Sequence, residues 1–66
     1  MALLKVIELL AESNESWEDA TQNVVAEASQ SVRKIRSVYV KNLSAEVVDG
    51  QITKWRLNCK MTFEKE

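Results

Sequence analysis

The chain has no histidine and no proline, and among its 66 residues there is one glycine, Gly50, and one cysteine, Cys59. Each shortage removes a class of answer. A single cysteine cannot close an internal disulfide, and without histidine or a second cysteine a zinc site of the usual kind has no ligands. No activated nucleophile stands beside a base, and no glycine-rich loop can cradle a phosphate, so an enzyme is not expected. Cys59 is the only reactive side chain by type. Two residues from both Leu57 and Met61, it reads as a buried small hydrophobe. Repeats, low-complexity tracts and proline-marked linkers are also missing, so residues 1–66 read as a single domain.

Charge of one sign is scarce too. The formal net charge is −1, and the charged residues are interspersed, which argues against a nucleic-acid binder with a broad basic face. Arg33, Lys34, Arg36 and Lys41 make the middle locally basic, as a solvated face or a subunit contact would be. Met1 to Leu10 holds four leucines but also Lys5 and Glu8, too short and too charged for a signal peptide or a membrane span. No membrane partner is expected, and the location expected is cytoplasmic, with which a lone reduced cysteine is consistent. A chain this short hides only about 60% of the surface it exposes when unfolded. Small domains compensate with disulfides, a structural metal or oligomerisation. With the first two excluded, a homo-oligomer is expected.

What the sequence does have is one long helical period, from Ser16 to Ile35. Trp17, Ala20, Val24, Ala28, Val32 and Ile35 recur at spacings of three or four and line one face. Glu18, Asp19, Gln22, Asn23, Glu27, Gln30, Arg33 and Lys34 form the wet face, acids early and bases late, as the helix macrodipole prefers. Ser16 can cap the start with Asp19 as a capping-box partner, and Ser13 is a competing cap one turn earlier.

Strand patterns flank this helix. Leu3 to Leu10 is dense in Leu, Val and Ile and suits a first strand, with Ala11 to Glu15 delivering the chain into the helix. Ser37 to about Val48 is a second strand whose apolar phase switches from Val38 and Val40 to Leu43, Ala45 and Val47. A β-bulge near Asn42 explains the switch, and so does a far half that leaves its own helix to pack on a neighbouring subunit. Asp49-Gly50 is a two-residue hairpin turn. Beyond it Ile52 is out of phase, and then Trp55, Leu57, Cys59, Met61 and Phe63 alternate with Lys54, Arg56, Asn58, Lys60, Thr62 and Glu64.

The fold class read from this is α+β, in the order β-α-β-β. A right-handed crossover sets the first two strands parallel, and the hairpin sets the third antiparallel to the second. Placing the third between them gives a fully antiparallel three-stranded sheet, order 1-3-2, wrapped around one long helix. The helix covers one face; the other, with Arg56 at its centre, is left for solvent, ligand or other copies.

Val6-Ile7-Glu8-Leu9 in the first strand, Ser13 before the helix, the Ala and Val pattern of the helix, Val47-Val48-Asp49-Gly50 at the hairpin and the Lys60 to Glu64 ending with Phe63 follow one another at a spacing that resembles the dodecins. These are small β-α-β-β proteins that assemble as hollow twelve-subunit shells and mostly bind flavins. The resemblance implies a homododecamer and a flavin ligand such as FMN or riboflavin, and it also marks where this chain departs. Flavin-binding dodecins carry a Trp early in the second strand that stacks on the isoalloxazine ring; here it is Ser37. A Gln in the middle of the third strand, which reads the ring's polar edge, is here Arg56. An Arg that follows the C-terminal Phe in many bacterial members, and can meet a flavin phosphate, is here Glu64.

Losing the indole removes a stacking surface worth roughly 0.5–1.5 kcal/mol beyond its area burial, and Glu in place of Arg repels a phosphate. The ligand expected is therefore flavin-like in ancestry, with flavin itself bound weakly or not at all. Ser37, Tyr39, Arg56 and Glu64 are the candidate ligand-lining residues, since 37 and 39 share one face of their strand and 56 and 64 share one face of theirs. Tyr39 can supply some stacking, and Arg56 can meet Glu64 of a neighbouring copy. Trp17 and Trp55 read as core.

Ser16-Trp17-Glu18 and Ile35-Arg36 look more like the branch called calcium dodecin, which also lacks the stacking Trp and is associated with calcium. The alternative is therefore a calcium-binding or purely structural shell. Calcium takes six to eight oxygen ligands, and no acidic loop here has EF-hand spacing. Glu12, Glu15, Glu18, Glu46, Asp49 and Glu64 are candidates, assembled from several subunits.

Overall fold

The structure, a computed structural model, describes residues 3–65 as β1 (Leu4–Ser13), α1 (Trp17–Ala28), β2 (Ile35–Val48) and β3 (Gln51–Glu64); what the sequence suggests for Met1, Ala2 and Glu66 lies outside them. Asp49 and Gly50 both adopt left-handed backbone, with φ of 52° and 76°, as a type I′ hairpin requires. That turn folds β3 back on β2, and β3 becomes the central strand. It pairs antiparallel with β1 on one side and β2 on the other, giving the order β1-β3-β2. The α+β class, the β-α-β-β order and the strand order are those read from the sequence.

The alternation of β3 decides what is inside. Leu57, Cys59 and Met61 are fully buried, and with Ala11 and Ala20 they make the core, against which Leu9, Trp17, Val24 and Val38 pack. Ile7, Leu9 and Ala11 stand opposite Met61, Cys59 and Leu57, so one face of β1 joins the same layer. Each such aliphatic side chain, fully buried, contributes about 1.5–3 kcal/mol.

The helix is shorter than its sequence period. It ends at Ala28 instead of running to Ile35, and the reason is local. Ser29 Oγ donates to the Val25 carbonyl at 2.7 Å, and the amides of Gln30 and Ser31 bond the carbonyls of Glu27 and Ala28, three residues back. This tightening closes the last turn. Lys34 then takes φ of 58° and turns the chain into β2, so Ile35 opens a strand instead of ending a helical stripe. Glu18 and Asp19 do occupy the first turn, whereas the last turn holds no base; Arg33 and Lys34 lie beyond it.

At the other end Ser16 is the N-cap, its hydroxyl accepting from the Asp19 amide at 2.9 Å. Asp19 does not close a capping box onto Ser16. Ser13 Oγ takes that place, accepting from the amides of Glu15 (2.9 Å) and Ser16 (3.4 Å) and donating to Asp19 Oδ2 at 2.6 Å. Ser13 can do so because β1 extends to it, three residues past Leu10. The segment from Ala11 to Ser13, expected to be connecting chain, is strand, with Ala11 and Ser13 buried.

The bulge expected near Asn42 is present. Val40 pairs with Cys59 and Leu43 with Leu57, so three steps on β2 match two on β3 and the apolar phase is carried across. A 12-residue helix is about 18 Å long, whereas the 14-residue strands run to about 46 Å. The molecule is accordingly elongated, 51 × 20 × 13 Å. Trp17, whose Nε1 donates to the Ser44 carbonyl at 3.0 Å, marks where the helix begins above the hairpin. Residues 46–54 extend past it.

Candidate functional site

Every second residue of β3 faces away from α1, and this sets out a charged surface. Arg56 lies opposite Glu12 of β1 and Ser44 of β2. Its Nε and Nη2 both meet Glu12 Oε2 at 2.5 Å, and Nη2 stands 3.9 Å from Glu46 Oε2. Glu46 is itself steadied by Thr53, whose hydroxyl donates to Oε1 at 2.8 Å. One guanidinium thus ties all three strands. Two further pairs flank it: Lys41, brought to this side at the bulge, meets Glu8 across the central strand at 3.5 Å, and Arg36 meets Glu64 at 2.7 Å. These side chains are half-exposed, so each pair contributes up to about 1 kcal/mol and is screened by salt.

Of the four residues expected to line a ligand site, three group together. Ser37 stands opposite Thr62 and Tyr39 opposite Lys60, and Glu64 is the next outward residue of β3. Arg56 is apart from them, four residues along β3 from Lys60, about 13 Å, and eight from Glu64. Within one chain Arg56 and Glu64 have different partners, Glu12 and Arg36. Tyr39 is 67% exposed and is the one aromatic ring on this side. Trp55 and Phe63 alternate with Arg56 and Glu64 and face the helix layer, and Trp17 packs on the core.

Clefts form at the two ends of the helix. At its start, Glu12, Ser13, Asn14, Glu15, Asp19, Asn23 and Lys54 line about 440 Å³. Within it Asn23 Nδ2 donates to Asp19 Oδ2 at 3.0 Å, the same oxygen that accepts from Ser13 Oγ. Among the described residues no three Asp, Glu or Cys side chains come together as a metal-binding group. Cys59 has no exposure, and burial pushes its thiol pKa up, the reverse of what a nucleophile needs.

A family model described as Dodecin matches residues 3–66. The chain belongs to the dodecin family. Among solved structures it is similar to the dodecin of Streptomyces coelicolor, at 29% identity over 98% of this chain and 93% of that one, with a TM-score of 0.94. It is also similar to the dodecin of Streptomyces davaonensis, at 25% identity, 98% and 96% coverage and a TM-score of 0.93. A calcium dodecin of Mycobacterium tuberculosis, described as a calcium-chelating immunodominant antigen with a novel calcium-binding site, is 31% identical over 97% of this chain and 91% of its own, with a TM-score of 0.83. Among curated proteins no relative matches.

The residue pattern paired Arg56 with Glu64 of a neighbouring copy and offered Glu12 and Glu46 as candidate calcium ligands. Within one chain Arg56 meets Glu12, 44 residues away, and Glu46, because which acid meets which base depends on the sheet register, of which the sequence carries no local signal. The alternation of β1 does put Glu8 and Glu12 on the outward side.

Proposed function

We propose that this chain is the subunit of a non-enzymatic, small-ligand binding or storage shell, a dodecin-like assembly of twelve copies in which the flavin site is altered so that flavin binds weakly or not at all. The observation that carries this reading is the state of Arg56. Where flavin-binding relatives are expected to present a Gln able both to donate and to accept, this chain presents a group that only donates, with Nε and Nη2 already turned to Glu12 and Nη2 also 3.9 Å from Glu46. An isoalloxazine edge, which offers a donor as well as acceptors, finds no acceptor for that donor there. Ser37 offers no stacking surface, Tyr39 offers a single ring, and Glu64, held by Arg36, opposes a phosphate. The residues present do not fit flavin in the manner of the family.

Ser37, Tyr39, Arg56 and Glu64 remain the residues around which a ligand would sit between copies, since three of them share one stretch of the outward face. The setting is cytoplasmic in this reading; no helix of the described chain is long and apolar enough to cross a membrane. Titration of flavin fluorescence with the protein tests it. Little quenching is expected, and quenching at stoichiometric protein would overturn the altered-site reading.

A second reading, a calcium-binding shell, is favoured by the 31% identity to the calcium dodecin. Since no three acids among the described residues come together, calcium would be held by oxygens from several copies. A melting temperature raised by calcium and lowered by a chelator is the expected sign; indifference to both leaves a structural scaffold.

A further inference from the structure

The outward face of the sheet is saturated at one end and open at the other. Toward the hairpin, Arg56, Glu12, Glu46 and Thr53 already engage one another. Toward the C-terminal end of β3, Ser37 stands opposite Thr62 and Tyr39 opposite Lys60. Among the described residues none of these four side chains has a hydrogen bond or an ion pair. Residues opposed on one sheet face stand about 5 Å apart at Cβ, so three hydroxyls and an ammonium gather around the exposed Tyr39 ring. Val6 of β1, opposite Thr62 and also exposed, supplies an apolar margin.

The charges beside this cluster do not cancel. Lys60 lies opposite Glu8 of β1, yet Glu8 Oε2 meets Lys41 at 3.5 Å, so one carboxylate serves two cations and one positive charge is left over. Glu64, four residues beyond Lys60, is taken up by Arg36. We propose that this end takes an aromatic carboxylate of a single ring, its ring laid on Tyr39 and its carboxylate at Lys60, with Ser37 and Thr62 bonding a ring hydroxyl. One negative charge matches the surplus, whereas a phosphate brings close to two and Glu64 opposes it. One phenol ring likewise covers a single six-membered ring and not a fused tricycle. The inference rests on the small-ligand reading above and names the class of ligand.

The test is isothermal titration calorimetry of the purified protein with 4-hydroxycinnamate. Two analogues divide the proposal: 4-hydroxycinnamide keeps the ring and lacks the charge, and cyclohexanecarboxylate keeps the charge and lacks the aromatic ring. Saturable binding of the acid is expected, with each analogue about tenfold weaker, the scale of one charge-assisted contact. Lys60→Gln and Tyr39→Ala should weaken it by a similar factor. Both positions are exposed, so circular dichroism should stay that of the wild type, and the analogues test the same point without any substitution. Lys54→Gln, which removes an equal charge about 20 Å along β3, should leave binding unchanged. No binding by the wild type, equal binding of the amide, or an equal loss in Lys60→Gln and Lys54→Gln would overturn the assignment. Flavin quenching by the same preparation separates the two readings. Tight flavin binding overturns the altered site and this inference with it, whereas a protein that binds neither flavin nor the acid overturns the ligand class alone.

Discussion

The two sides of β3 differ in what each residue is worth. On one side Leu57, Cys59 and Met61 have no exposure and carry the core; on the other, Arg56, Lys60 and Glu64 alternate with them and make half-exposed ion pairs or none. Stability lives on the first side; the proposed ligand site lies on the second. In a domain whose total stability is of the order of 5 kcal/mol, the first side can barely change, whereas the second can change almost freely. A family can therefore keep its fold while the residues that face a ligand drift.

The largest test of that contrast is Leu57→Ala. It should cost about 2–5 kcal/mol, enough to unfold much of the single chain, measured as a lowered urea midpoint. Next comes the turn that pairs the strands. Gly50 sits at φ 76° with open space around it, so Gly50→Val meets no clash, yet should lose about 1–2 kcal/mol from left-handed backbone alone; an unchanged melting temperature would show the hairpin to be more adaptable than its geometry implies.

On the outward side Arg56→Ala should cost under about 1 kcal/mol and shrink further in high salt, because its partners are exposed enough to return to water. A loss as large as that of Leu57→Ala would erase the distinction between the two sides. Ser37→Trp/Arg56→Gln sharpens it from the other direction: stability should hold while flavin quenching rises several-fold, the scale of one stacking contact.

The smallest effect belongs to Cys59. Burial raises its thiol pKa in the folded chain, so the folded state keeps its proton where the unfolded state releases it. That stabilisation is complete below the unfolded thiol pKa and is lost as pH rises through the folded one. A melting temperature that drifts down on the alkaline side, with the drift absent in Cys59→Ala, is the expected result. Thiol reagents should react slowly with the folded protein and quickly in urea.

Much of the fold was legible because its signals are local. The Asp49-Gly50 turn, the alternation from Trp55 to Phe63 and the phase switch at Asn42 each reside within a few residues, and they suffice for the strand order. The end of the helix was not legible. Val32 and Ile35 keep the helical spacing, but serine side-chain bonding at Ser29 and the left-handed backbone at Lys34 end the helix a turn and more before them, and periodicity does not report either. The outward face that holds the proposed site was legible, and its contacts were not. Alternation places Arg56 and Glu64 on one side, whereas the bond from Arg56 to Glu12 depends on a register set by the whole sheet.

The most direct test of the central claim is a native mass spectrum of the purified protein with no ligand added, since one spectrum reports both the copy number and whatever is carried along. Twelve subunits holding cations or nothing is the predicted result. Twelve subunits with the added mass of flavins would contradict it, because the outward face would then have absorbed Ser37, Arg56 and Glu64 into a working flavin site.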